Sequence, residues 1–151
     1  MKFKVCKDLA PNKNNIILHK DMSYGSSKED SSKWHFQVSL TKSSNILLNF
    51  NANNLNCVSC EGRLIENTKL QFVDIVIPRT EVGSLIYEST KIPQFGIEYS
   101  IKNSNIFYDR TNRILAIGDY NSEVDFFEFG IGQYVRLVDG CISAILIKFS
   151  D

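Results

Sequence analysis

A chain of 151 residues, 43% apolar and 23% charged, has the usage of one folded domain. At this length about 70% of the unfolded surface is buried on folding, so one apolar core suffices without disulfides or metals. Seventeen basic residues balance seventeen acidic ones. The absence of a basic excess argues against a dedicated nucleic-acid binder, whose affinity comes largely from neutralised phosphates.

The start, Met1-Lys2-Phe3-Lys4-Val5-Cys6, lacks the apolar run of an export signal. No stretch approaches the ~18 apolar residues of a membrane span. A cytoplasmic location is the expectation. The first third is rich in Lys, Asn and Ser, with one short apolar segment at Ile16-Ile17-Leu18 that suits an early strand. Residues 19–33 show no period and are expected to form a long flexible loop. From Trp34 the period becomes two: Trp34, Phe36, Val38 and Leu40 fall on one strand face and His35 on the other. Ile46-Leu47-Leu48-Asn49-Phe50 follows a Ser43-Ser44-Asn45 turn and completes a hairpin.

Cys57-Val58-Ser59-Cys60 has the C-x-x-C spacing of zinc and redox sites. The remaining ligand types, Cys6, Cys141, His19 and His35, are remote and unpaired in sequence, and no βαβ pattern surrounds the motif. A loop with free thiols is the expectation, and no metal or cofactor is assigned.

Residues 70–77 alternate β-branched side chains and read as a strand ended by Pro78. Residues 80–87 are ambiguous. Thr80 suits a helix cap with Val82, Leu85 and Ile86 on one face, whereas Gly83 opposes a helix. The last third is patterned most strongly. Strands are expected around Ile97-Tyr99-Ile101, Ile106-Phe107-Tyr108, Ile114-Leu115-Ala116-Ile117, 124–129, 134–138 and 142–149. Between them lie Asp109-Arg110-Thr111-Asn112, Gly118-Asp119-Tyr120-Asn121, Gly130-Ile131-Gly132 and the tight-hairpin pair Asp139-Gly140. The pattern predicts a mainly β fold: an antiparallel meander forming a sandwich or partly open barrel, with at most one or two short helices.

No residues are assigned a catalytic role. Two histidines at unrelated positions and the lack of a nucleophile-elbow pattern argue against nucleophilic or acid–base catalysis. Gly130-Ile131-Gly132 lacks the lysine and helix of a phosphate loop. The acidic run Asp119, Glu123, Asp125 and Glu128 is different, because four carboxylates fall within ten residues with no base among them. Such a run serves as a solvated edge, or with Phe127 and Phe129 as a patch that steers and anchors a basic partner. Alternation places Glu123 and Asp125 on the face of Phe127 and Phe129.

The stretch Ile106-Phe107-Tyr108-Asp109-Arg110-Thr111-Asn112-Arg113-Ile114-Leu115-Ala116-Ile117, followed by Val135-Arg136-Leu137-Val138-Asp139-Gly140-Cys141-Ile142, resembles the C-terminal β-meanders of small bacterial immunity proteins. Those proteins are antidotes to secreted contact-dependent or polymorphic toxins. The resemblance spans about a third of the chain, residues 97–149. It lies in hairpin texture, length and Asn/Lys/Ile-rich composition, without a signature motif or transferable site residues. It implies an inhibitor that binds a cognate toxin domain, commonly a nuclease, and occludes its active site, with neither nucleic acid nor membrane as partner. Asp119, Glu123, Asp125, Glu128, Phe127 and Phe129 are the candidate partner-binding residues. The alternative is a small-ligand-binding β-barrel or sandwich with Trp34, Phe126 and Tyr134 lining a cavity.

Overall fold

The computed structural model describes residues 2–26, 36–40, 46–64, 70–78, 80–88, 91, 96–99, 101, 105–121 and 123–150. Among them there is no helix, and the strands form a curled, open half-barrel sheet with a small two-stranded sheet beside it. The β class expected from alternation is therefore the observed one, in its partly open barrel version.

The first strands are β1 (Lys2–Cys6), β2 (Ile16–Leu18), β3 (Ser23–Ser26), β4 (Phe36–Leu40) and β5 (Ile46–Phe50). They are followed by β6 (Cys57–Arg63), β7 (Leu70–Phe72), β8 (Thr80–Val82), β9 (Ser84–Glu88) and β10 (Ile97–Tyr99). The last third supplies β11 (Ile106–Asp109), β12 (Ile114–Gly118), β13 (Phe126–Gly130), β14 (Gln133–Val138) and β15 (Cys141–Ser150). The main sheet runs β10-β4-β5-β6-β3-β2-β15-β12-β11-β7, and β14, β13 and β8 branch from β15. The pairs β10–β4, β11–β7, β13–β8 and β15–β2 are parallel, joining elements far apart in sequence.

One open reading is settled and three local expectations need correction. Residues 80–87 hold β8 and β9 with Gly83 between them, not a helix. An ideal Cβ at Gly83 would lie 2.8 Å from the Cys6 carbonyl, so a glycine lets β1 pass close by. The strand at 70–77 stops at Phe72, and 73–78 continue without a ladder partner. Within 19–33, Ser23–Ser26 form β3, and Trp34 and His35 lie outside the described residues. The Cys57/Cys60 segment is strand β6, not loop. A bulge sets Phe50 opposite Cys57 and Asn49 opposite Ser59, leaving Val58 as the extra residue. That extra residue turns Cys57 and Cys60 to the same buried side, although residues three apart in a regular strand face opposite ways.

Both faces of the sheet carry apolar clusters. The inner one joins Phe36, Val38, Leu48 and Phe50 to Leu115, Val135, Ile145 and Ile147. The small β1–β9 sheet closes it, because Phe3, Leu85 and Tyr87 alternate onto that side. The Phe36 and Phe50 rings stack with centroids 5.3 Å apart, and Tyr87 meets Phe36 edge-on at 5.2 Å. The outer cluster holds Ile114, Ala116, Phe126, Tyr134, Ala144 and Leu146, the opposite parity of β12, β13, β14 and β15. Ile75 completes it, with Ile77, Tyr120 and Val124 packed against it. On β15 the parity switches at a bulge, where Arg136 pairs with Ala144 but Leu137 with Ile142. Ser143 is the extra residue there, and its carbonyl accepts the Asp119 N–H at 3.0 Å.

Candidate functional site

Strand β8 lies parallel to β13, with Thr80 opposite Phe126, Glu81 opposite Phe127 and Val82 opposite Glu128. Where these two strands begin, Thr80, Glu81, Asp125, Phe126 and Phe127 line an open cleft of about 370 Å³. That volume is at the lower end for a site that seats a small group. Its position follows from local sequence. Asn121 makes a turn, its side-chain oxygen accepting the Glu123 N–H at 2.9 Å. Val124 packs on the outer cluster and Phe126 is buried in it, which leaves Asp125 between them at the surface. Phe127 packs against the inner cluster and stays half-buried.

Lys7, just beyond β1, reaches this site. Its ammonium pairs with the Glu81 carboxylate and lies 5.9 Å from the Phe127 ring centroid. Both side chains of that pair are more than half exposed, at 58% and 60%. An ion pair so exposed contributes about 0–1 kcal/mol, so it separates readily.

The acidic run does not stay together. Asp125 and Phe127 share the cleft, but Asp119 pairs with Arg136, its carboxylate 3.3 Å from the guanidinium. Glu128 lies opposite Tyr134 and its side chain accepts the Gly132 N–H at 3.5 Å. Glu123 is exposed in the turn before Asp125. Phe129 is fully buried in the inner cluster and presents nothing to a partner, which corrects its place among the partner-binding residues. The predicted face also changes, because β13 begins only at Phe126, so Glu123 and Asp125 belong to a turn rather than to a strand face. Glu81 and Lys7 are the site residues that sequence reasoning missed. Glu81 is brought in by the parallel β8–β13 pairing and Lys7 by the antiparallel β1–β9 pairing, both between segments far apart in sequence, which leaves no local signal.

Elsewhere the groups with displaced protonation serve the fold. Burial pushes the Cys57 thiol up to about 12 and the Cys60 thiol well above its usual value. Both are therefore protonated at neutral pH, and a thiol held that way is a poor nucleophile and a poor metal ligand. Among the described residues no group of three or more His, Cys, Asp or Glu side chains is placed to hold a metal ion. Burial likewise raises the Tyr24 phenol. Phe126 and Tyr134, expected to face a ligand cavity, are packed in the outer cluster, apart from the inner rings. No helix among the described residues is long and apolar enough to cross a membrane.

No protein-family model matches the sequence, and neither does any curated protein.

Proposed function

We propose that the chain is a protein-binding inhibitor that acts in the cytoplasm and neutralises a cognate secreted bacterial toxin, a nuclease being the fitting kind, by covering its active site. The observation that carries this reading is the β8/β13 cleft, lined by Glu81, Asp125 and the half-buried Phe127, on a chain with no net charge. Carboxylates at the rim of an interface steer a basic partner, and an aromatic ring supplies the anchor. A nuclease cleft is basic because it holds phosphate, so acidic side chains suit it in the place of substrate. An interface of roughly 800 Å² per partner is enough for a stable complex, and the cleft offers a centre for one.

The test is co-expression with a candidate toxin domain, followed by purification of the complex and titration of its toxicity. A one-to-one complex that abolishes toxicity is the expected result. The double reversal Glu81→Lys/Asp125→Lys should weaken the complex at least tenfold, about 1.4 kcal/mol. Unchanged affinity in that variant would remove the cleft from the interface.

A further inference from the structure

We infer that the β8/β13 cleft is a receptor for one basic side chain of the partner, a guanidinium or an ammonium, and that Lys7 fills that role within the chain until the partner arrives. The inference rests on the proposed inhibitor reading and specifies its central contact. Three features converge. The cleft has the volume of a side-chain pocket, about 370 Å³, and is open to solvent on one side. Its lining includes two acidic residues, Glu81 and Asp125, and the aromatic Phe127. A cation is favoured by both kinds of group, through charge at the acids and through the quadrupole at the ring face. The third feature is Lys7 itself, whose ammonium touches the Glu81 carboxylate and hangs over the Phe127 ring.

Lys7 holds this position loosely. At 5.9 Å from the centroid it is near the outer limit for an attraction to the ring, and its side chain is 58% exposed. A planar guanidinium that bridges a carboxylate and stacks on the ring makes better use of both than an ammonium does. The incoming cation therefore replaces Lys7, and Lys7 is released to water where its charge costs nothing. An arrangement of this kind raises specificity: an apolar or acidic side chain does not displace the resident ammonium, whereas a well-placed arginine does.

The experiment uses the whole protein labelled with ¹⁵N and titrated with arginine ethyl ester, with glutamine ethyl ester as the neutral control. Saturable shifts are expected at the amides of Glu81, Asp125, Phe127 and Lys7 with the arginine ester only. Lys7→Met removes the internal competitor from an exposed position and should lower the dissociation constant about two- to fivefold, the range that an exposed ion pair contributes. Glu81→Gln should abolish saturation. Absence of saturable shifts in both the unmodified chain and Lys7→Met, or equal affinity in the two, overturns the inference. Because no toxin is present, this result is independent of the co-expression test. A chain that inhibits a toxin but ignores the arginine ester keeps the inhibitor reading and loses this one. A chain that takes the ester tighter after Lys7→Met but binds no toxin does the reverse.

Discussion

On the inner side of the sheet strands do the covering, whereas on the outer side two segments without ladders do it. The inner cluster is enclosed by the half-barrel and by β1–β9, and its centre is a set of rings, Phe3, Phe36, Phe50 and Tyr87, in mutual contact. The outer cluster is closed by 73–78 and by Tyr120 and Val124, fastened at a few polar points. The Asp109 carboxylate accepts the Ile75 N–H at 2.9 Å while also accepting the Asn112 backbone and side-chain N–H groups at 3.0 and 2.8 Å. The Tyr120 hydroxyl donates to the Val76 carbonyl at 2.8 Å and accepts the Val76 N–H at 2.9 Å. A face closed by packing resists opening as a whole, while one closed by a strap opens locally when its fastenings fail. The proposed site stands where the two regimes meet, since Phe127 belongs to the inner side and Val124 and Phe126 to the outer.

The largest effect should come from the inner side. Phe50 is fully buried and touches Phe3, Phe36 and Tyr87. Phe50→Ala should cost about 3–5 kcal/mol, the lost transfer of the ring plus the cavity left behind. Denaturant unfolding should show one shifted transition, and amide exchange should rise across strands of both faces. Exchange confined to β5 would mean that the inner cluster is less cooperative than its packing implies. Acid should act on the outer side instead. Hydrogen bonds from Ile75 and Asn112 lower the Asp109 pKa to about 2. A depressed carboxylate stabilises the fold above its ordinary value of 3.8, and that contribution is lost as the pH falls through about 2. Exchange at the Ile75 amide should therefore accelerate between about pH 4 and 2, beyond its intrinsic change, while inner-cluster amides stay protected. Asp109→Asn should show a less protected Ile75 already at neutral pH and no such acid step. An unaltered Ile75 profile in that variant would leave the strap without this fastening.

Much of this division was legible where structure is local. Phe36, Val38 and Leu40 are buried at alternate positions as their spacing requires. Asp139 and Gly140 both take positive φ, 52° and 77°, as a two-residue hairpin demands, and the turn between β11 and β12 falls at 110–113, one residue beyond the polar run that marks it. Three kinds of feature were not legible. Bulges at Val58 and Ser143 change parity, and a single inserted residue does not disturb a hydrophobic pattern enough to announce itself. β8 acquires strand geometry from a partner more than 40 residues away, so Thr80–Val82 does not show it in its own sequence. The alternation in Lys2-Phe3-Lys4-Val5 is too short to announce its pairing with the distant β9. The strap at 73–78 carries the same Val/Ile alternation as a strand, yet its Ile75 and Val76 amides are taken by side chains rather than by a neighbouring strand. For the site, Asp125 and Phe127 were found because they lie two residues apart in sequence, and Glu81 and Lys7 were not because only the fold brings them near.

Tyr120→Phe gives the smallest and most discriminating effect. The substitution keeps the ring, which contacts Phe107 with centroids 6.4 Å apart, and removes only the hydroxyl that bonds to Val76. The backbone groups it leaves lie where water reaches them, so the penalty for unmet hydrogen bonds is small and the net loss should be about 1 kcal/mol. Global unfolding should shift by no more than that, while exchange at the Val76 amide should rise several-fold with no change at Leu48 or Ile145 inside the inner cluster. If Leu48 and Ile145 exchange faster in step with Val76, the strap and the inner cluster unfold as one unit. The outer face would then owe its closure to the whole fold rather than to its own fastenings.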